Sequence, residues 1–249
     1  MNMLRRTILS LGVGTLALSG VLLSSAAVAQ TRAAKPLNIV VYGGSGNIGS
    51  RIVAEAAARG HNVTVVDKNP KADRAPKGVK LVTGDVFDKA DVLKNIAGAD
   101  AMVSSIVVRP APTPDFALSV VKAEVEALRA QTGPKKTRLL VVGGGSSLYG
   151  ADGKRIIERF GGRQDGEVKS SVDSVDWLKA EVKDVQWSFF SPNGNFSPGK
   201  RTGTYRFGTD KVVVDANGRS AITYEDYAVA MLDEIEKPQF INKHFTAGY

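Results

Sequence analysis

The feature that most constrains the fold is the stretch Asn38-Ile39-Val40-Val41-Tyr42-Gly43-Gly44-Ser45-Gly46-Asn47-Ile48-Gly49. An apolar run breaks into glycines three residues apart and restarts as an amphipathic segment, which reads as strand, tight turn and helix. Glycines at 43, 46 and 49 let the backbone turn sharply and bring bare N–H groups against a pyrophosphate, and the following helix points its positive dipole end at that charge. The pattern predicts a dinucleotide cradle formed by Gly43, Ser45, Gly46, Asn47, Ile48 and Gly49. A lone G-x-x-G-x-x-G run also suits a glycine-rich turn in another α/β protein, so its surroundings decide.

Those surroundings alternate strand and helix. Ile52, Val53, Ala56, Ala57 and Ala58 give a helix with a small apolar face, ended by Gly60. Residues 63–66 form a second strand, and Asp67 stands at its end, where a dinucleotide fold places an acid for the adenosine ribose or a base for a 2′-phosphate. Asp67 argues for NAD and the adjacent Lys68 permits NADP, so both cofactors stay open. A third strand at 80–82 runs into Gly84-Asp85-Val86-Phe87-Asp88, which sets Asp85 and Val86 against the adenine. Residues 101–107 make a fourth strand whose polar break, Ser104-Ser105, falls beside the cofactor. A helix capped by Thr113, with Pro114 in its first turn, carries Phe116, Val120, Val121, Val125 and Leu128 on one face. A fifth strand at 138–142 ends in Gly143-Gly144-Gly145-Ser146-Ser147. This alternation predicts an α/β fold with a doubly wound parallel sheet (Rossmann-like), its ligand lying across the carboxyl ends of the strands.

The remainder is less regular. Residues 154–164 read as a charged surface loop or flap. Val168, Val172, Val175, Leu178 and Val182 are spaced as a helix stripe, and 185–190 is a sixth strand delivering Ser191-Pro192-Asn193-Gly194 to the same sheet edge. Short strands are expected at 205–207, 212–214 and 220–222, the last two joined as a hairpin at Asn217-Gly218. Thr223 then caps a closing helix running to about 237. With no repeat and no second cradle, residues 37–249 read as one NAD(P)-binding domain with small C-terminal substrate-side insertions.

Residues 1–29 read as a secretory signal peptide: Arg5 and Arg6 give a basic start, 8–23 are apolar but diluted with Gly, Ser and Thr, and Ala27-Val28-Ala29 is a small-residue cleavage site. Arg5-Arg6-Thr7-Ile8-Leu9 also resembles the twin-arginine export signal, although Leu4 stands where that signal usually has a polar residue, so simple secretion and folded export are both open. The expected location is periplasmic or secreted. Free nicotinamide cofactor is expected to be scarce there, so the loop is expected to hold a dinucleotide loaded before export.

The absence of cysteine among 249 residues rules out disulfides, thiolate metal sites and a cysteine nucleophile, and His61 and His244 lack metal-ligand spacing. The net charge of +8 is scattered over helices and loops rather than gathered in a run. Attraction of a phosphate-bearing small molecule explains it better than a nucleic-acid surface. The expected partner is a small-molecule substrate, with no nucleic acid and no membrane for the mature domain, and the oligomeric state is left open.

With these pieces in place, the chain resembles the atypical short-chain dehydrogenase/reductases, in particular the NAD(P)H-binding group with NmrA-like and biliverdin- and flavin-reductase-like members. The resemblance rests on the loop from Gly43 to Gly49, on Gly84-Asp85-Val86-Phe87-Asp88, Ser191-Pro192, Ile222-Thr223-Tyr224-Glu225-Asp226-Tyr227-Ala228 and Phe245-Thr246-Ala247-Gly248-Tyr249. It implies a cradle for the pyrophosphate, an Asp67-Lys68 contact to the ribose and an Asp85-Val86 contact to the adenine. One departure matters. Catalytic relatives pair a serine after strand five with Y-x-x-x-K, whose tyrosine donates a proton. No Y-x-x-x-K occurs in this chain; Lys154 follows Tyr149 by five residues, and Asp165-x-x-x-Lys169 stands near the expected helix. Ser146, Ser147 and Tyr149 are the candidate substrate-side groups, with Ser146 and Tyr149 the proposed catalytic pair, and Pro192 and Asn193 flank the nicotinamide end. Two functions follow: an oxidoreductase that relies on positioning, or a cofactor-binding sensor without turnover. Sugar epimerase chemistry is disfavoured by the missing tyrosine.

Overall fold

The computed structural model describes residues 35–160 and 166–249. The leader therefore lies outside the described residues, as do 161–165 of the charged loop.

Alternation of side chains along the first strand sets the layering. In β1 (Asn38–Tyr42), Val40 and Tyr42 enter one apolar core while Ile39 and Val41 enter another on the opposite face. A strand buried on both faces needs cover on both. The helices α1 (Asn47–Ala58) and α5 (Tyr224–Glu236) pack on one side. On the other lie α2 (Lys89–Asn95), α3 (Phe116–Arg129) and α4 (Gly166–Glu181).

The sheet has eight strands in the order β3-β2-β1-β4-β5-β6-β10-β8. Here β2 is Asn62–Asp67, β3 Lys80–Thr83, β4 Ala101–Ser104, β5 Arg138–Val142 and β6 Trp187–Pro192. β8 is Arg206–Gly208 and β10 is Lys243–Gly248; only the pairing of β8 with β10 is antiparallel. The chain reverses its direction of travel across the sheet between β1 and β4, and a crevice opens there at the carboxyl ends. This is the doubly wound, Rossmann-like α/β fold expected.

Several boundaries differ from the sequence reading. β4 stops at Ser104, three residues short, because the chain turns at Ser105 to pass under the glycine loop. α3 is capped at Asp115 rather than Thr113, whose Oγ1 donates instead to Asp115 Oδ1 at 2.8 Å. Val168 is exposed, so the α4 stripe begins at Val172. β6 sits two residues later than expected, which draws Ser191 into the sheet. No hairpin joins 212–214 to 220–222: Gly218 turns the chain with φ +74°, but β9 (Ala221–Thr223) pairs in parallel with β7 (Asn195–Ser197). The motif 245–249 contributes a strand, β10, which inserts between β6 and β8.

Buried ion pairs lock the outer elements. Arg59, at the end of α1, reaches Glu55 at 2.8 Å, Asp233 at 2.7 Å and Glu236 at 3.0 Å, clamping α1 to α5. Arg138 on β5 pairs with Glu234 and donates to Ser188 Oγ at 2.6 Å. Thr223 Oγ1 accepts the Asp226 N–H at 3.1 Å, capping α5 as the sequence predicts.

Candidate functional site

The cradle is built from β1, its turn and the first turn of α1. Gly43 has φ +76°, and a side chain there would overlap the Ser105 carbonyl after β4. A side chain on Gly49 would overlap the Gly43 carbonyl, so loop and helix can close only on glycine. α1 begins at Gly46 with no side-chain cap, which leaves its first N–H groups available to an anion. These features fit a dinucleotide pyrophosphate.

Ser45 is the hub of the loop. Its N–H donates to Asp67 Oδ2 at 2.8 Å, its Oγ accepts the Lys71 N–H at 3.0 Å, and its carbonyl accepts from Arg74 Nη1 at 3.1 Å. Asp67 thus ties the end of β2 to the loop. Arg74 also reaches Asn47 Oδ1 at 3.5 Å, which places an exposed guanidinium beside the turn. Lys68 pairs with Asp85 at 2.9 Å. Burial would raise the Asp85 carboxyl, but Lys68 and the Phe87 N–H together hold it below its ordinary value. Ile48 is half-buried behind the loop, Val86 is in the core under it, and Ser104 and Ser105 are buried at the reversal point.

A second concavity opens at the carboxyl ends of β5 and β6. It is a cavity of about 520 Å³ lined by Gly145, Ser146, Pro192 and Asn193, with apolar walls from Ile156, Phe196, Val212 and Val214. Close packing shapes it: a side chain on Gly145 would come within 2.8 Å of the Pro192 carbonyl. Ser146 faces this cavity. Tyr149 does not line it; Arg155 lies 5.1 Å over its ring, and its backbone joins Asp210 and Val212.

Behind Ser146 lies a buried polar chain. Ser147 Oγ donates to the Gly144 carbonyl at 2.7 Å and lies 2.8 Å from Ser191 Oγ, and Ser191 Oγ lies 2.8 Å from His244 Nε2. With the Ser147 proton on Gly144, the chain closes as His244 to Ser191 to Ser147, every step a donor onto an acceptor. Burial, with the charge of Lys179 beyond it, pushes His244 down to about 3, so the imidazole is neutral. Its Nδ1 has no partner among the described residues. The chain holds the Gly143–Ser147 turn in place and leaves Ser146 to face the cavity.

Sequence reasoning missed Arg74, Arg159, Glu124 and the use of His244. Arg74 was findable as a base shortly after β2. Glu124 is fully buried on α3, and burial raises its carboxyl to about 8. Ser104 stands beside it without reaching hydrogen-bond geometry, so both carboxyl oxygens are unpartnered among the described residues.

Fold and cradle together define a dinucleotide-binding α/β protein. Residues 43–238 match the model of an NAD(P)H-binding family, and the chain belongs to that family. It binds NAD or NADP and is oxidoreductase-like. A solved structure from Burkholderia pseudomallei, provisionally described as an exported protein, is 37% identical with a TM-score of 0.74, covering 86% of this chain and 100% of that one. A Bacteroides thetaiotaomicron protein provisionally described as an epimerase is 35% identical (TM-score 0.75; 86% and 98% covered). A Streptococcus pneumoniae protein provisionally described as an NADH-flavin reductase is 28% identical (TM-score 0.72; 85% and 99% covered). Among the described residues no helix is long and apolar enough to cross a membrane, and no cluster of three or more acidic or histidine side chains could hold a metal ion.

Proposed function

We propose that the protein is an exported NAD(P)-dependent oxidoreductase that moves a hydride between the nicotinamide and a small organic or flavin-like acceptor. The observation that carries this reading is the cavity beside Ser146 and Pro192, on the same sheet edge as the cradle. Its size suits a small organic ligand. With its pyrophosphate on the glycine loop, a reduced nicotinamide cofactor would supply a hydride to an acceptor in this cavity, the proton coming from water.

The chain's own residues position the two partners. The loop from Gly43 to Gly49 fixes the pyrophosphate, Asp67 and Lys68 meet the ribose, Asp85 and Val86 the adenine, and Ser104-Ser105 the middle of the crevice. Ser146 orients the acceptor, Asn193 holds the cavity wall with both ends of its amide on the Val213 backbone, Pro192 excludes water from one side, and Tyr149 stiffens the cavity's rim through Arg155. Orientation alone can lower such a barrier by several kcal/mol when the acceptor needs no enzymic proton. The absence of Y-x-x-x-K favours this over the epimerase chemistry named for one relative.

The reading is tested by anaerobic oxidation of NADPH and NADH by purified protein, with quinones, flavins and carbonyls as acceptors. Stoichiometric consumption of cofactor and acceptor is expected. Reversible exchange of cofactor with no consumption would assign a binding module instead. Export rests on residues 1–29 and on the relative provisionally described as exported. Mass spectrometry of the native periplasmic protein is expected to show cleavage before Gln30 and a dinucleotide already in place.

A further inference from the structure

Among the described residues, Arg159 is the one charged side chain that lines the cavity. The remaining walls are apolar, or present only the small polar groups of Ser146, Asn193 and Ser220. No carboxylate lines the cavity among the described residues.

Local folding puts this cation in place. The chain after Tyr149 doubles back, with the Gly150 N–H donating to the Lys154 carbonyl at 2.8 Å and the Ile156 N–H to the Leu148 carbonyl at 2.9 Å. The short helical turn Ile156–Phe160 then returns Arg159 onto Gly150. Any side chain at Gly150 would overlap the guanidinium, so the glycine makes room for it. Asp152 Oδ1 accepts from Nη2 at 2.8 Å and is the partner among the described residues. Both side chains are about half exposed, at 46% and 49%, so water screens the pair and a ligand anion can compete for it. A guanidinium has five N–H donors, and Asp152 uses one.

We infer that the cavity selects an acceptor made of an apolar ring system carrying an anionic group, carboxylate or phosphate, and that Arg159 docks the anion. The inference deepens the oxidoreductase reading and rests on it for taking the cavity as the acceptor's. The apolar walls alone would hold a neutral ring. Arg159 adds charge selection and fixes which end of the ligand is held.

Two matched pairs of probes test this: FMN against riboflavin, and 1-naphthoate against 1-naphthamide. Each pair shares a ring and differs in charge. Binding is measured on protein saturated with NADP⁺, and turnover with NADPH is measured for the flavins. The charged member is expected to bind about tenfold more tightly, with the preference shrinking between 50 mM and 500 mM salt. Arg159→Gln is expected to bring the two members of each pair level, and Arg159→Lys to restore part of the preference. NADPH affinity and the melting temperature of each variant report that it is folded. Equal binding within each pair, no binding by any probe, or a preference that survives Arg159→Gln overturns the inference. Selective, Arg159-dependent binding of FMN without reduction by NADPH leaves the anion site standing and removes the reductase reading.

Discussion

Arg74 and Glu124 carry the residue-scale consequences. Arg74 stands beside the glycine turn with Lys68 and Lys71 close in sequence, while the Asp67 carboxylate is engaged by the Ser45 N–H. Arg74 is therefore the group placed to test for a 2′-phosphate. Arg74→Ala is expected to weaken NADPH binding about tenfold and to change NADH binding little, as read by titration of intrinsic fluorescence. Glu124 makes a pH prediction. Its folded carboxyl titrates at about 8 against an ordinary 4.5, so between those values the native state keeps a proton that the unfolded chain has released. Stability therefore falls as pH rises through this window, by at most about 1.4 kcal/mol per pH unit, and levels off above it. Glu124→Gln removes the ionisable group, and its urea midpoint relative to the native protein is expected to improve from pH 5 to pH 8. Only part of this was legible in advance. Arg74 could be noted as a base shortly after β2, but its weight depends on where the turn folds back; Glu124, four residues from both Val120 and Leu128, falls on the apolar face by spacing although its charge argues for solvent.

At the scale of elements, the best-read pieces were those whose reason is local. β1, α1, β5 and the Thr223 cap follow from apolar spacing, glycine placement and capping chemistry, and they stand where the sequence puts them. The pieces that moved depend on distant partners. Asn217-Gly218 does turn the chain, yet the flanking residues find other partners, because β7 already offers β9 a parallel edge. β6 slides by two residues because β10 pairs with it from Lys243 opposite Ser188 to Ala247 opposite Pro192. That pairing assembles Ser147, Ser191 and His244. No short-range pattern could bring together residues 97 positions apart. The junction of β5 and β6 also gives a prediction. Gly145→Ala places a methyl against the Pro192 carbonyl and is expected to cost about 1–3 kcal/mol of stability. Acceptor turnover should drop more than NADPH affinity, which separates the cavity from the cradle in one variant.

Over the whole molecule, the two halves of the sheet differ in how the chain reaches them. The dinucleotide half, β3-β2-β1-β4, is made from the first four strands of the sheet, and its site is expected from one motif and a few downstream acids. The acceptor half is not sequential: β6 is flanked by β5 and by β10, and β8 hangs on β10 alone. This explains why the glycine loop could be read from the amino acids, whereas of the cavity only Ser146, Pro192 and Asn193 were named as site groups and Arg159, Val212 and Val214 were not. It also orders assembly in time. As the chain is synthesised, the cradle has all its strands once Ser105 has emerged, whereas the acceptor cavity must wait for Gly248, because β10 closes the sheet behind Ser191. Strands alone do not complete the cradle's half, however: α1 is clamped to α5 through Arg59, Asp233 and Glu236, so both sites depend on residues 224–249.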